Sequence, residues 1–192
     1  MQRYVSTLII MGLAALLITF ASAQEKKPLE PPKAAQGPSQ ELLSEWYYVF
    51  GKVIAMAKDF PQDKYDFKAQ KDERTFGQNL IHIASAEYNM MSAITGTPMW
   101  PFGSEDSLQK KYTTKEDIVK FLIQTADDGV KLIKEQGDSG LTKEYKYPWG
   151  NWMVHGSFLW YLMLEHTGEH FGQLVVYYRV NGMIPPESRP PK

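Results

Sequence analysis

The sequence contains no cysteine. That excludes disulfide bonds, thiolate metal ligands and a thiol nucleophile, so stability has to come from the core and any metal site has to use nitrogen or oxygen donors. Charge of one sign is lacking as well. Lys and Arg number 21 against 22 Asp and Glu, a balance that gives nucleic acid no electrostatic reason to bind. No segment alternates apolar and polar residues over a strand's length between turn signals, so no strands are predicted. The one long apolar run, Leu8 to Phe20, falls short of the ~20 residues that span a bilayer comfortably.

That run has the features of a secretory leader. Arg3 precedes it, and Ala21-Ser22-Ala23 after it is an A-x-A cleavage site. Residues 1–23 are read as a signal peptide, and the mature chain is expected to begin at Gln24 in the periplasm or the extracellular medium. No cysteine follows the site, which excludes a lipoprotein anchor. Removal of Arg3 leaves 20 basic residues against 22 acidic, a net charge near −2. Residues 24–37 are rich in Pro and Lys without periodicity and read as a flexible linker. Residues 187–192 read as a disordered tail, leaving 38–186 as one domain.

Within it the apolar spacing predicts four helices. The first is capped by Ser39, carries the seam Leu42, Trp46, Val49, Val53, Met56, Phe60, and stops at Pro61. The second runs from Arg74 to Thr95, with Gly96 past its end. The third opens on a capping box from Thr113 to Glu116 and reaches Gly137. The fourth extends from Asn151 to Gly182, before Pro185 and Pro186. Four amphipathic helices imply an all-α four-helix bundle. The connections 61–73, 97–112 and 138–150 are long for a bundle and hold Trp100, Phe102, Tyr112, Tyr145, Tyr147 and Trp149.

The fourth helix poses a chemical problem. Its seam is read as Leu159, Leu162, His166, His170, Gln173, Tyr177, Val180, which places two imidazoles four residues apart where packing alone selects leucine. Two buried histidines satisfied by neighbouring hydroxyls and carbonyls are one explanation. A shared cation is the other, since it meets the needs of both rings without charging either. His82, on the second helix among small residues, is a candidate third ligand. His155 shares the helical phase of His166 but lies ~16 Å along the axis at 1.5 Å per residue. Three neutral imidazoles with a position left for water are the donor pattern of catalytic zinc. His166-Thr-Gly-Glu169-His170 also matches H-x-x-E-H, the inverted-zincin signature, with Glu169 as general base. That metalloprotease requires a further glutamate ligand well downstream, where little chain remains.

The stretches EHTGEHFGQLVVYYRVNGMIPPESR and YDFKAQKDERTFGQNLIHIASAEYNMMSAITG resemble the last helix and the first-histidine helix of the DinB-like (DinB/YfiT) family of metal-dependent enzymes. The resemblance spans nearly all of residues 38–189. It implies a four-helix bundle that binds a divalent cation through His82, His166 and His170. Zinc is expected first, with nickel, iron or manganese as alternatives that imidazole also suits. Phe171 departs from the family, in which many members carry Arg after the last histidine. Members of known chemistry act mostly on low-molecular-weight thiols inside cells, and a leader sits uneasily with that.

The chain is therefore expected to be an exported metal-binding protein using the cation for hydrolysis or group (thiol) transfer. A non-catalytic metal- or ligand-binding bundle is the alternative. Glu169 is the candidate proton acceptor and Gln173 a candidate support for the ligands. The partners expected are a small-molecule substrate, no nucleic acid, no membrane span after cleavage of the leader, and a second copy in a homodimer as an option.

Overall fold

The computed structural model describes residues 37–99 and 104–190. The leader, the linker up to residue 36, Trp100 and Phe102 lie outside the described residues. Helix α1 (Pro38–Asp59) starts with Pro in its first turn, where a missing N–H costs nothing. Gly37 rather than Ser39 occupies the N-cap position. The Ser39 backbone N–H instead donates to Asp138 Oδ1 at 2.9 Å, across the fold. The helix ends as expected at Phe60, which takes an extended conformation before Pro61.

Helix α2 (Phe76–Thr95) begins two residues after the expected start, because Thr75 and Gln78 form a reciprocal capping box at 3.1 and 2.9 Å. Gly96 closes it in the left-handed region at φ 70. A short helix, α3 (Glu105–Lys111), lies where only a connection was expected, and pins itself with fully buried Leu108. Helix α4 (Lys115–Thr142) is capped by Thr114 through the Asp117 N–H, one residue later than the expected box. Gly137, the expected end, does interrupt it at φ 55, and one more turn follows.

Strands were not expected, yet β1 (Glu144–Lys146) and β2 (Met153–His155) pair antiparallel with Tyr145 opposite Val154. Three residues per strand are too few for an alternation to register. The hairpin delays the last helix, so α5 spans Gly156–Val180. Gly156 is required there, because a Cβ would stand 2.0 Å from the Gly140 carbonyl oxygen. Of the segment expected to be disordered, residues 187–189 are engaged instead. A 3₁₀ turn at Pro186–Ser188 carries Arg189 to a bidentate pair with Asp59 at 2.8 and 2.6 Å. This hydrogen bond holds the Asp59 carboxyl below its ordinary value.

The four long helices form the bundle, and α3 rests on α2. Helices α1 and α2 each pack against both α4 and α5, so the consecutive pair α1–α2 occupies opposite corners. Every residue of the expected α1 seam is buried. The α5 seam differs. Its buried line is Leu159, Trp160, Met163, Thr167, His170, Leu174, Tyr177 and Tyr178, while Leu162 and His166 are half-buried and Gln173 and Val180 exposed. The helix is apolar nearly all round, so spacing alone put the stripe one residue off.

At the centre, the Trp46 indole N–H donates to the Ala126 carbonyl at 2.9 Å and meets Trp160 edge-on at 5.4 Å. Gly129 lets α4 approach that ring, since a Cβ would fall 2.2 Å from its carbons. With both edges of the indole held, Gly129→Ala is expected to cost about 1–3 kcal/mol through overpacking. Thermal unfolding at fixed metal concentration should show a melting point lowered by roughly 2–4 °C per kcal/mol. An unchanged melting point would mean that the indole yields freely.

Candidate metal centre

Helix α2 contributes His82, and α5 contributes His166 and His170 from successive turns. The packing of α2 against α5 brings all three rings together, with centroids 4.5 to 5.2 Å apart. One nitrogen from each lies within 4.8 Å of the others. No fourth His, Asp or Glu joins this group among the described residues. His155 is not in the helix, as was expected, but on β2 at the α5 N-cap position, its Nδ1 2.8 Å from the Thr142 carbonyl.

Each ring is held from behind. His82 Nδ1 lies 2.8 Å from Glu105 Oε2, His166 Nδ1 2.9 Å from Glu87 Oε1, and His170 Nδ1 3.0 Å from Gln173 Oε1. Amide and ionised carboxylate oxygens only accept, so with Glu87 and Glu105 ionised each Nδ1 carries the proton and each Nε2 presents a lone pair. Gln173 cannot turn its amide round without loss. Its Oε1 also accepts from Asn79 at 3.2 Å, and its Nε2 donates to Glu169 at 3.3 Å.

The Nε2 atoms of His82 and His166 stand 3.3 Å apart. With both protons on Nδ1, two lone pairs face each other at that distance, which repels unless a cation lies between them. Two nitrogens bound about 2.0–2.1 Å from a tetrahedral ion would be separated by about 3.3–3.4 Å. The residues present therefore fit a divalent ion. Burial, followed by the charges of His166, His82 and Arg74, pushes the His170 pKa down to about 4, so this ring is neutral and available as a ligand at neutral pH.

Two of the supporting carboxylates were not foreseen. Glu87 is fully buried, and desolvation raises its pKa to about 7 against the hydrogen bonds from His166 and Thr167. It is the one carboxylate in α2, which holds no Lys or Arg, and that was a legible signal. Glu105 comes from α3, in a segment read as a connection, so nothing in the sequence marked it. Hydrogen bonding to His82 lowers its pKa. Glu169, the expected proton acceptor, is exposed, and its Oε1 accepts from Gln173 Nε2 at 3.3 Å. The third member of the cluster is an imidazole from α2, in place of the downstream glutamate that the inverted-zincin reading requires. Phe171 lies under Lys52, whose Nζ is 4.7 Å from the ring centroid.

A cavity of about 640 Å³ opens beside Gln173, lined by Asp72, Glu73, Arg74, Val176 and Tyr177. The Arg74 Nε lies 3.3 Å from Glu105 Oε1, and its carbonyl accepts from the Tyr177 hydroxyl, so the cavity wall is joined to the supports of the triad.

No curated protein matches the sequence. Among solved structures, a DinB-like protein from Bacillus cereus ATCC 10987 aligns with TM-score 0.62 and 19% identity, covering 76% of this chain and 93% of that one. A DinB-like protein from Bacillus subtilis, YjoA, aligns with TM-score 0.58 and 20% identity over 74% and 92% of the two chains. YfiT from the same species, described as "a probable metal-dependent hydrolase with an unusual four-helix bundle topology", aligns with TM-score 0.59 and 14% identity over 80% and 94%. At these identities the likeness establishes the fold, a DinB-like helical bundle. The DinB superfamily pattern matches residues 46–174, most of the described bundle, and the chain belongs to that superfamily.

Proposed function

We propose that this protein is an exported metal-dependent hydrolase that holds one divalent ion, zinc first, through the Nε2 atoms of His82, His166 and His170. The observation that carries the reading is the convergence of three lone pairs whose opposite nitrogens are each held by an acceptor. The name given to YfiT supports hydrolysis ahead of transfer to a thiol. The absence of a fourth His, Asp or Glu among the described residues favours a catalytic over a closed structural site.

Bound there, the ion would supply Lewis acidity toward a carbonyl or phosphoryl group and make water a better nucleophile at neutral pH. The chain's own residues do the rest. Glu87, Glu105 and Gln173 fix the rings so that no reorientation is needed during reaction. Arg74 and Tyr177 line the cavity beside Gln173, which has room for a small substrate. No helix of the described residues is long and apolar enough to cross a membrane. Export rests on the leader sequence.

Three measurements test this reading. Elemental analysis should find about one ion per chain, and alanine at His82, His166 or His170 should each remove most of it. His155→Ala should keep full occupancy, because that ring bonds Thr142 outside the triad. Loss of the ion also removes its mass-action stabilisation, about 4 kcal/mol when free metal exceeds Kd a thousandfold. Wild-type protein without metal after purification from its native host would overturn the assignment.

Hydrolysis of a panel of activated esters and amides should vanish on chelation and return with zinc. Turnover that persists in protein verified to be metal-free would rule out a metal-dependent reaction. The exported form should have the intact mass of a chain beginning at Gln24. A membrane-bound species retaining Met1 would refute cleavage at Ala23.

A further inference from the structure

Glu87 stands apart from the other two ring supports. Gln173 is neutral and exposed, and Glu105 sits at 29% side-chain exposure with Arg74 beside it. Glu87 is a carboxyl group at 0% exposure, placed on α2 one helix away from the ring it holds. Its Oε1 accepts twice, from His166 Nδ1 at 2.9 Å and from the Thr167 hydroxyl at 2.9 Å. Its Oε2 is buried with no hydrogen-bond partner. No Lys or Arg pairs with it among the described residues. A carboxylate in so dry a place is costly unless an opposite charge lies close. One imidazole ring separates it from the point where the three lone pairs converge.

We infer that Glu87 is a positioning residue for the metal: through His166 it fixes the lone pair toward the ion and supplies the buried negative charge that the cation neutralises. The inference rests on the proposed metal site and adds a second direction to it. The ion and the carboxylate each lower the cost of burying the other, so metal affinity and fold stability are coupled through one side chain. A carboxylate that served packing alone would affect the metal-free and the metal-loaded protein equally. Glu105, with water and Arg74 near it, should contribute less, because solvent screens its charge.

The test uses zinc as the probe, with affinity measured by competition against a chelating dye and melting points taken with and without zinc. Glu87→Gln preserves an acceptor for His166 and removes the charge. Glu87→Met removes both. Zinc affinity should fall ten- to a hundredfold in Glu87→Gln, the range for such outer partners, and further in Glu87→Met. The zinc-induced rise in melting point should shrink in the same order, whatever the metal-free baseline of each variant. Glu105→Gln should lose less than Glu87→Gln.

Cobalt(II) in place of zinc gives an independent reading. The visible bands should keep their shape in Glu87→Gln and change in Glu87→Met, where His166 is free to turn or to shift its proton. If Glu87→Gln binds zinc as the wild type does and its melting points with and without zinc fall by the same amount, the role is structural and the inference is wrong. If the wild type itself binds no zinc, the proposed site fails, and this inference with it.

Discussion

Two imidazole lone pairs held 3.3 Å apart, with a third ring against them, form the constraint on which the rest of this bundle depends. Neutral rings in that arrangement repel, and charged rings would repel more. Each has been turned to face the others by an acceptor on its far side, and those acceptors come from three different elements. Glu87 belongs to α2, Glu105 to α3 and Gln173 to α5 itself. The site is thus a consequence of tertiary packing, because α5 orients only His170 by itself and the other two rings take their supports from α2 and α3.

The surrounding core makes such an arrangement durable. Trp46, Phe50, Trp160 and Tyr178 fill the bundle interior and are almost completely withdrawn from water. Stacked Phe60 and Phe76 close the end from which α2 departs. Interiors packed to this degree do not adjust by small continuous shifts. The rings therefore keep their separation, and the polar network at the mouth, from Gln78 through Gln109 to Glu105, holds α3 against α2.

Much of this was legible in the sequence, and the parts that were not have physical reasons. Periodicity located four helices because each buries one face. It misplaced the α5 stripe because Trp160, Tyr161, Val175 and Val176 make that helix apolar on several sides. His82, His166 and His170 stood out as polar residues in apolar runs, and the structure brings them together. Glu87 gave the same signal, a lone carboxylate between Ala86 and Tyr88, but a glutamate is so often solvated that the run around it carried the information. Glu105 gave none, since its role depends on a seven-residue helix formed by packing. The β1–β2 hairpin escaped notice because three-residue strands cannot establish a period.

The diagonal placement of α1 and α2 has a consequence for the order in which the molecule matures. His82 and His166 are 84 residues apart in the chain, and α2 finds its neighbours only when both α4 and α5 are present. In an unfolded or nascent chain the ion therefore encounters at most the pair on α5, a weak two-point grip. The complete cradle exists only after this 84-residue loop has closed, which is an entropically costly step. At the proposed site, metal capture would in this sense report that folding is finished: a chain trapped before α2 docks would lack the complete cradle and could be told apart from the native protein by that alone.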